Sequence, residues 1–266
     1  MWRERLKIGI IGLGKMGEAI AKGLMGSKDY RVYFNEADAA KRKKASNRYK
    51  RIKHLEINEL IGSADVVVLA VKPQDLKELL HKIKLVLKRD KLFISIAAGV
   101  STCFIKKEGS IEKIVRAMPN MGALIGDSFT ALAYSDKVLK KELNLAKKIF
   151  SVLGKVHVVE EELMDAVTAL SGSGPAYFAY FLQALESSAS DAGLKDISGS
   201  IVLDTMEATL KVLRKLNIST EDFIRMVKSP GGTTEACLEY WQERDLPGIV
   251  REGVNRALNR AKELNR

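Results

Sequence analysis

Six residues near the start of the chain, Gly12, Leu13, Gly14, Lys15, Met16 and Gly17, have the spacing of a turn that cradles phosphate. They follow an apolar run at 6–11 and open an amphipathic stretch that continues through 18–24. In that setting Gly12 permits the tight turn, Gly14 lets a pyrophosphate approach the backbone, and Gly17 lets helix and strand pack closely. The phosphates would sit at the helix N-terminus, where free N–H groups and the dipole favour anions. The adenosine end is less determined. The next short run, 31–34, is followed by Asn35, taken as a cofactor contact, and by Glu36. An acid there binds both ribose hydroxyls of NAD. Glu36 could do so, although it stands one position late. Eight cations and no acid lie between 41 and 53: Lys41, Arg42, Lys43, Lys44, Arg48, Lys50, Arg51 and Lys53. They fit the 2′-phosphate of NADP, a solvated helix face, or nucleic acid. The last lacks a stacking platform, since Tyr49 is the one aromatic in the stretch. NADPH is the expected cofactor, with NADH as the alternative.

Two further groups carry chemistry. Ala70, Val71, Lys72 and Pro73 end one apolar run, Ala97, Ala98 and Gly99 end the next, and Asn120 ends the one after. A cation, small residues and an amide thus meet one rim, the carboxyl edge where open α/β sheets bind ligands. In the second half, Ser229, Pro230, Gly231, Gly232, Thr233 and Thr234 open an apolar helix. This is a second anion nest, with hydroxyls beside free N–H groups, and it suits a substrate carboxylate. A break at 171–175, Ser-Gly-Ser-Gly-Pro, reads as a bend.

These groups need a frame. Runs at 6–11, 31–34, 66–71, 92–96 and 114–118 alternate with helical stretches such as 76–87. That alternation predicts a doubly wound α/β Rossmann sheet. Runs at 129–134 and 156–159, around a helix over 139–152, extend it. Beyond about residue 160 strand patterns stop and apolar stripes at helical spacing take over. The expected division is 1–159 for dinucleotide binding and 160–266 for an all-helical domain. Its stripes exceed what that segment can cover alone, which points to a subunit interface.

Composition narrows the class. The 266 residues carry 44 Lys+Arg against 33 Asp+Glu, a net +11 that favours anionic partners. The apolar run 66–71 is far short of the roughly 20 residues of a spanning helix, so no membrane partner is expected. Residues 1–6 contain no signal-peptide core. Two cysteines make no disulfide framework, and three histidines lack metal-ligand spacing. A cytoplasmic protein without a metal is expected.

Taken together, and in this order along nearly the whole chain, the glycine turn, Ala70–Pro73, Ile96–Val100, Arg116–Asn120, Leu170–Tyr177 and Ser229–Thr234 resemble the pyrroline-5-carboxylate reductase family. The pairing of Leu-Ser-Gly-Ser-Gly-Pro-Ala-Tyr with Ser-Pro-Gly-Gly-Thr-Thr is its most specific part. The resemblance implies a Rossmann domain followed by a helical dimerisation domain, with a homodimer that can assemble further and a site completed across it. It implies reduction of the C=N bond of 1-pyrroline-5-carboxylate to L-proline by NAD(P)H. Gly12 to Gly17 and Ala70 to Pro73 would hold the cofactor, with Ala97 to Gly99 beside the nicotinamide. Gly231, Gly232 and Thr233 would bind the substrate carboxylate, and Thr234 would hydrogen-bond the ring nitrogen. Two departures stand out. Met121 and Gly122 replace the family's Thr-Pro, and Ile224 and Arg225 replace its Lys-Asp. The alternatives are a reductase of another cyclic imine or a 3-hydroxy acid, and a non-catalytic nucleotide- or nucleic-acid-binding relative.

Overall fold

The computed structural model describes residues 5–87 and 91–264, so the expectation for Met1–Glu4 lies outside the described residues. The chain divides into two units, Met1–Ser173 with Ala257–Arg266, and Gly174–Arg256.

The first unit is built on one eight-stranded sheet. Its strands are β1 (Leu6–Ile11), β2 (Tyr30–Asn35), β3 (Lys53–His54), β4 (Val66–Leu69), β5 (Leu92–Ser95), β6 (Lys113–Pro119), β7 (Ser128–Tyr134) and β8 (Gly154–Val158). They lie in the order β3-β2-β1-β4-β5-β6-β7-β8. The first six are parallel, β7 turns antiparallel to β6, and β8 runs parallel to β7. The chain order reverses between β1 and β4, and ligands of open α/β sheets bind outside the strand ends at such a point.

Alternation explains why both faces are covered. Val66 and Val68 face one core with Ile8, Ile10, Val32 and Phe34. Val67 and Leu69 face the other with Ile11 and Phe93. A period of two on fully apolar strands gives two buried faces. Helices α1 (Lys15–Met25) and α6 (Lys140–Ser151) pack on the first, through Ile20, Leu24, Ile149 and Phe150. Helices α3 (Ile57–Ser63), α4 (Pro73–Val86) and α5 (Thr102–Gly109) pack on the second. The doubly wound expectation holds.

Boundaries moved for local reasons. β4 ends at Leu69 rather than 71: Ala70 N still donates to the Ile11 carbonyl at 2.8 Å, and the Ala70 carbonyl then lies against the glycine turn. α4 begins three residues before the expected 76, since Pro73 at the first turn needs no N–H partner. The two-residue β3 was not anticipated. The basic helix α2 (Ala39–Arg48) buries only Ala45. Of the break at 171–175, Ser171 and Gly172 end a π-helical turn, Thr168–Gly172, that follows the short α7 (Met164–Val167), while Gly174 and Pro175 already open the next helix.

The second unit is helical: α8 (Gly174–Asp191), α9 (Ser198–Leu216), α10 (Thr220–Val227), α11 (Thr233–Glu243) and the first part of α12 (Leu246–Leu264). Its apolar side chains are largely uncovered. α8 buries Gly174 alone and α9 buries nothing, while Phe178 is 65% and Tyr180 76% exposed. Among the described residues no helix is long and apolar enough to cross a membrane.

Candidate active site

The glycine turn is assembled by close backbone approach. Gly12 sits at φ 95°, and a Cβ on it would lie 2.7 Å from the Ala70 carbonyl oxygen. A Cβ on Gly17 would lie 2.2 Å from the Gly12 carbonyl oxygen. Gly14 is different: it is exposed and a Cβ there would meet nothing within 4 Å. Gly12 and Gly17 are therefore required by the protein itself, and Gly14 leaves room for a ligand. Gly14 caps α1 without a side-chain hydrogen bond, so the first N–H groups of Lys15 and Met16 face outward unpaired. Such a cradle fits a dinucleotide pyrophosphate.

Around the turn, Gly12 N donates to the Asn35 carbonyl at 2.9 Å, and Leu13 N donates to Glu36 Oε2 at 2.8 Å. The Asn35 side-chain amide points inward and donates to the Leu55 carbonyl at 2.9 Å. Lys72 and Lys15 are exposed, Met16 is partly buried, and Pro73 opens α4 directly behind Lys72. Ala70 and Val71 are brought against Gly12. On the neighbouring strand, Ala97 is buried and Ala98 partly so. Gly99, at φ 65°, leaves only 3.0 Å between a Cβ and the Leu264 carbonyl oxygen. The carboxyl ends of β1, β4 and β5 thus carry the predicted groups side by side.

Asn120 caps the 3-10 turn Met121–Leu124: its Oδ1 accepts from Gly122 N at 3.0 Å and its Nδ2 donates to Ser171 Oγ at 3.3 Å. A Cβ on Gly122 would lie 2.2 Å from the Asp127 carbonyl oxygen, so this loop is folded for glycine. Nearby, an ion pair escaped the sequence reading. The Arg116 guanidinium, 4% exposed, pairs with Glu161 Oε1 at 3.0 Å. Glu161 also accepts from Thr102 N at 2.7 Å and from Thr102 Oγ1 at 2.5 Å, at the start of α5. Burial pushes the Glu161 carboxyl up, but the two Thr102 donors and Arg116 outweigh it and hold it below the usual carboxylate range.

The second nest lies at the start of α11. Gly231 has φ 68°, which suits glycine. Gly232 N donates to the Ser229 carbonyl at 3.0 Å, closing the turn. Gly231 N donates to Glu235 Oε2 at 2.7 Å, and Glu235 Oε1 pairs with Lys228 at 2.9 Å. Lys228 and Gly231 N hold the Glu235 carboxyl below its usual range. With Gly231 and Gly232 spent on the turn, the N–H groups of Thr233 and Thr234, at the uncapped first turn of α11, are left to face a ligand. Glu235 was not singled out from the sequence. Its signal was an acid at the third helical position behind Gly232, the spacing of a capping box. Arg225, one of the departures, is used on its own helix by Glu221 at 3.2 Å and by Asp222.

Comparison with known proteins agrees with this geometry. The profile of the family described as pyrroline-5-carboxylate reductase dimerisation matches residues 161–264, and that described as NADP oxidoreductase, coenzyme F420-dependent, matches residues 7–99. The pyrroline-5-carboxylate reductase of Synechocystis is 36% identical over 98% of this chain and 99% of its own. A solved pyrroline-5-carboxylate reductase from Coxiella burnetii superposes with a TM-score of 0.89 at 32% identity, covering 99% of this chain and 100% of its own. That of Plasmodium falciparum, solved with NADP bound, gives 0.87 at 28% identity and covers 99% of each chain. With a Rossmann sheet, a helical dimerisation domain and full-length similarity to these proteins, the chain belongs to the pyrroline-5-carboxylate reductase family of NAD(P)-dependent oxidoreductases.

Proposed function

We propose that this protein reduces the C=N bond of 1-pyrroline-5-carboxylate to L-proline, the last step of proline synthesis, with a reduced nicotinamide dinucleotide. The observation that carries the reading is the pair of cradles: an open glycine turn for a dinucleotide, and a second helix start with two unpaired N–H groups beside the Thr234 hydroxyl. The nicotinamide, when bound, supplies the hydride. Everything else asked of the chain is positioning. Gly12, Leu13, Gly14, Lys15, Met16 and Gly17 take the pyrophosphate, backed by Ala70, Val71, Lys72 and Pro73, with Asn35 supporting the turn through its carbonyl. Ala97, Ala98 and Gly99 leave a flat approach for the ring. Thr233 and Thr234 N–H bind the substrate carboxylate on the turn made by Gly231 and Gly232. The Thr234 hydroxyl oxygen accepts from the protonated ring nitrogen, and that protonation already makes the adjacent imine carbon electrophilic. No strong buried acid is needed. The absence of any lysine from α8 argues against 3-hydroxy acid chemistry, in which a lysine on a helix of the second domain is usual.

The same reading sets the functional division at 159/160, close to where the dimerisation profile begins. It makes the protein a cytoplasmic homodimer, able to build larger assemblies, whose partner is a small molecule rather than nucleic acid. The basic run 41–53, taken alone, favours NADPH, with NADH as the alternative.

Thr234→Ala should lower kcat/KM for 1-pyrroline-5-carboxylate about tenfold, the worth of one hydrogen bond to a charged group. Initial rates of NADH and NADPH oxidation measure this, and an unchanged rate would remove Thr234 from the site. Glu235→Ala should raise the KM for the same substrate about fivefold and change kcat less than about twofold, because it loosens the turn and not the nitrogen contact. Glu235→Gln, which keeps an acceptor for Gly231 N, should lie between. A fall in kcat at constant KM would assign Glu235 a different role.

A further inference from the structure

We infer that Glu36 makes this protein select NADH over NADPH, by accepting hydrogen bonds from the adenosine ribose hydroxyls and repelling a 2′-phosphate. The inference rests on the glycine turn holding a dinucleotide, as proposed above.

Glu36 is the first residue after β2, at the carboxyl edge of the sheet and about 20 residues beyond the glycine turn, where a ribose-binding acid stands in NAD-dependent Rossmann domains. Its carboxylate is fixed rather than free. Oε2 accepts from Leu13 N at 2.8 Å, inside the turn itself, and Oε1 accepts from Asp38 N at 3.0 Å. An ionised carboxylate has about four acceptor positions, so lone pairs remain for two ribose hydroxyls. A phosphate in place of the 2′-hydroxyl removes one of those donors and brings like charge against Glu36.

A second carboxylate reinforces the first. Asp38 caps α2, accepting from Ala40 N at 2.9 Å and Lys41 N at 3.0 Å. Those backbone donors, that of Lys41 foremost, hold the Asp38 carboxyl below its usual range, so it too is charged. From 35 to 40 the chain reads Asn-Glu-Ala-Asp-Ala-Ala, without a cation.

Half of the basic run, which raised the expectation of NADPH, is placed elsewhere. Arg48 pairs with Glu18 at 2.8 Å, and Tyr49 donates to the same carboxylate at 2.5 Å. β3 runs parallel to β2 with Lys53 opposite Tyr33. Lys50 and Arg51, preceding Lys53, therefore lie toward the amino-terminal edge, away from the turn. Lys41, Arg42, Lys43 and Lys44 stand in the first two turns of α2, after Glu36 and the capping Asp38.

The test is direct binding to the purified full chain, by titration calorimetry with NADH, NADPH, 5′-AMP and adenosine 2′,5′-bisphosphate. Wild type should bind NADH at least about tenfold more tightly than NADPH, and 5′-AMP more tightly than the bisphosphate, as expected for a like charge at the ribose. Glu36→Gln keeps an acceptor for Leu13 N and should shift the NADH/NADPH ratio by about tenfold or more toward NADPH. Thermal melting reports whether that variant is folded; Asp38→Asn, which keeps the helix cap, should shift the ratio in the same direction by a smaller factor. Equal or tighter binding of NADPH by wild type overturns the inference, and so does a ratio that Glu36→Gln leaves unchanged. A chain that prefers NADH yet does not reduce 1-pyrroline-5-carboxylate would sink the proposed reaction while leaving this selectivity standing. Failure to bind either dinucleotide would sink both.

Discussion

Gly17→Ala should weaken dinucleotide binding by more than about 100-fold, the loss expected when at least two charge-assisted hydrogen bonds to phosphate are misplaced. The added methyl would sit 2.2 Å from the Gly12 carbonyl oxygen, and Gly12 cannot retreat because Ala70 already stands against it. The turn must open, carrying its N–H groups away from the phosphates. Overpacking of this kind also costs about 1–3 kcal/mol of stability, so the melting midpoint should fall by several degrees. Gly14→Ala separates the two effects. Gly14 has extended backbone angles that alanine adopts freely, and open space around it. Its melting midpoint should match wild type, while binding weakens about tenfold because the methyl occupies space meant for the ligand. Melting curves and binding titrations on the two variants decide the matter. If Gly14→Ala bound as tightly as wild type, the pyrophosphate would not lie on this turn.

Arg116→Met should destabilise the protein by about 2–4 kcal/mol, because it strands the Glu161 carboxylate among buried groups. Glu161 keeps 27% of its side chain exposed, which places the loss below that of a fully buried pair. The pair also sets an acid limit. Glu161 is held below the usual carboxylate range when folded. Its contribution is therefore complete above the unfolded carboxyl pKa and disappears as the pH falls through the lower folded value. Wild type should lose stability to acid more steeply than Arg116→Met over that interval. Urea unfolding across the acid range would measure both, and identical pH slopes would show that the pair does not act in this way.

The sheet was legible because its strands are buried on both faces and therefore read as unbroken apolar runs. The glycine turn was legible because its clearances are met by glycine alone. The 229–234 nest was visible through the order of its small and hydroxyl residues. What escaped were interactions between charged groups distant in sequence. Arg116 and Glu161 are 45 positions apart, and neither stands in a pattern that betrays the other. β3 was missed because two basic residues, Lys53 and His54, carry no strand signal and gain their place from β2 alone. The run 41–53 does not by itself choose the cofactor, for a related reason: composition records charge but not direction, and Arg48 turns to Glu18 while the residues around Lys50 run along the far end of the strand.

The bare helices of the second unit have a consequence for how the protein persists at low concentration. α8 and α9 bury almost none of their own side chains, and residues 161–264 match a dimerisation domain. The apolar contacts that would stabilise these helices belong to another copy. Folding of this unit is then a second-order process, and its midpoint should climb with protein concentration as mass action requires. For such a protein dilution acts as a denaturant does, and the amount a cell makes becomes one of the terms that keep it folded.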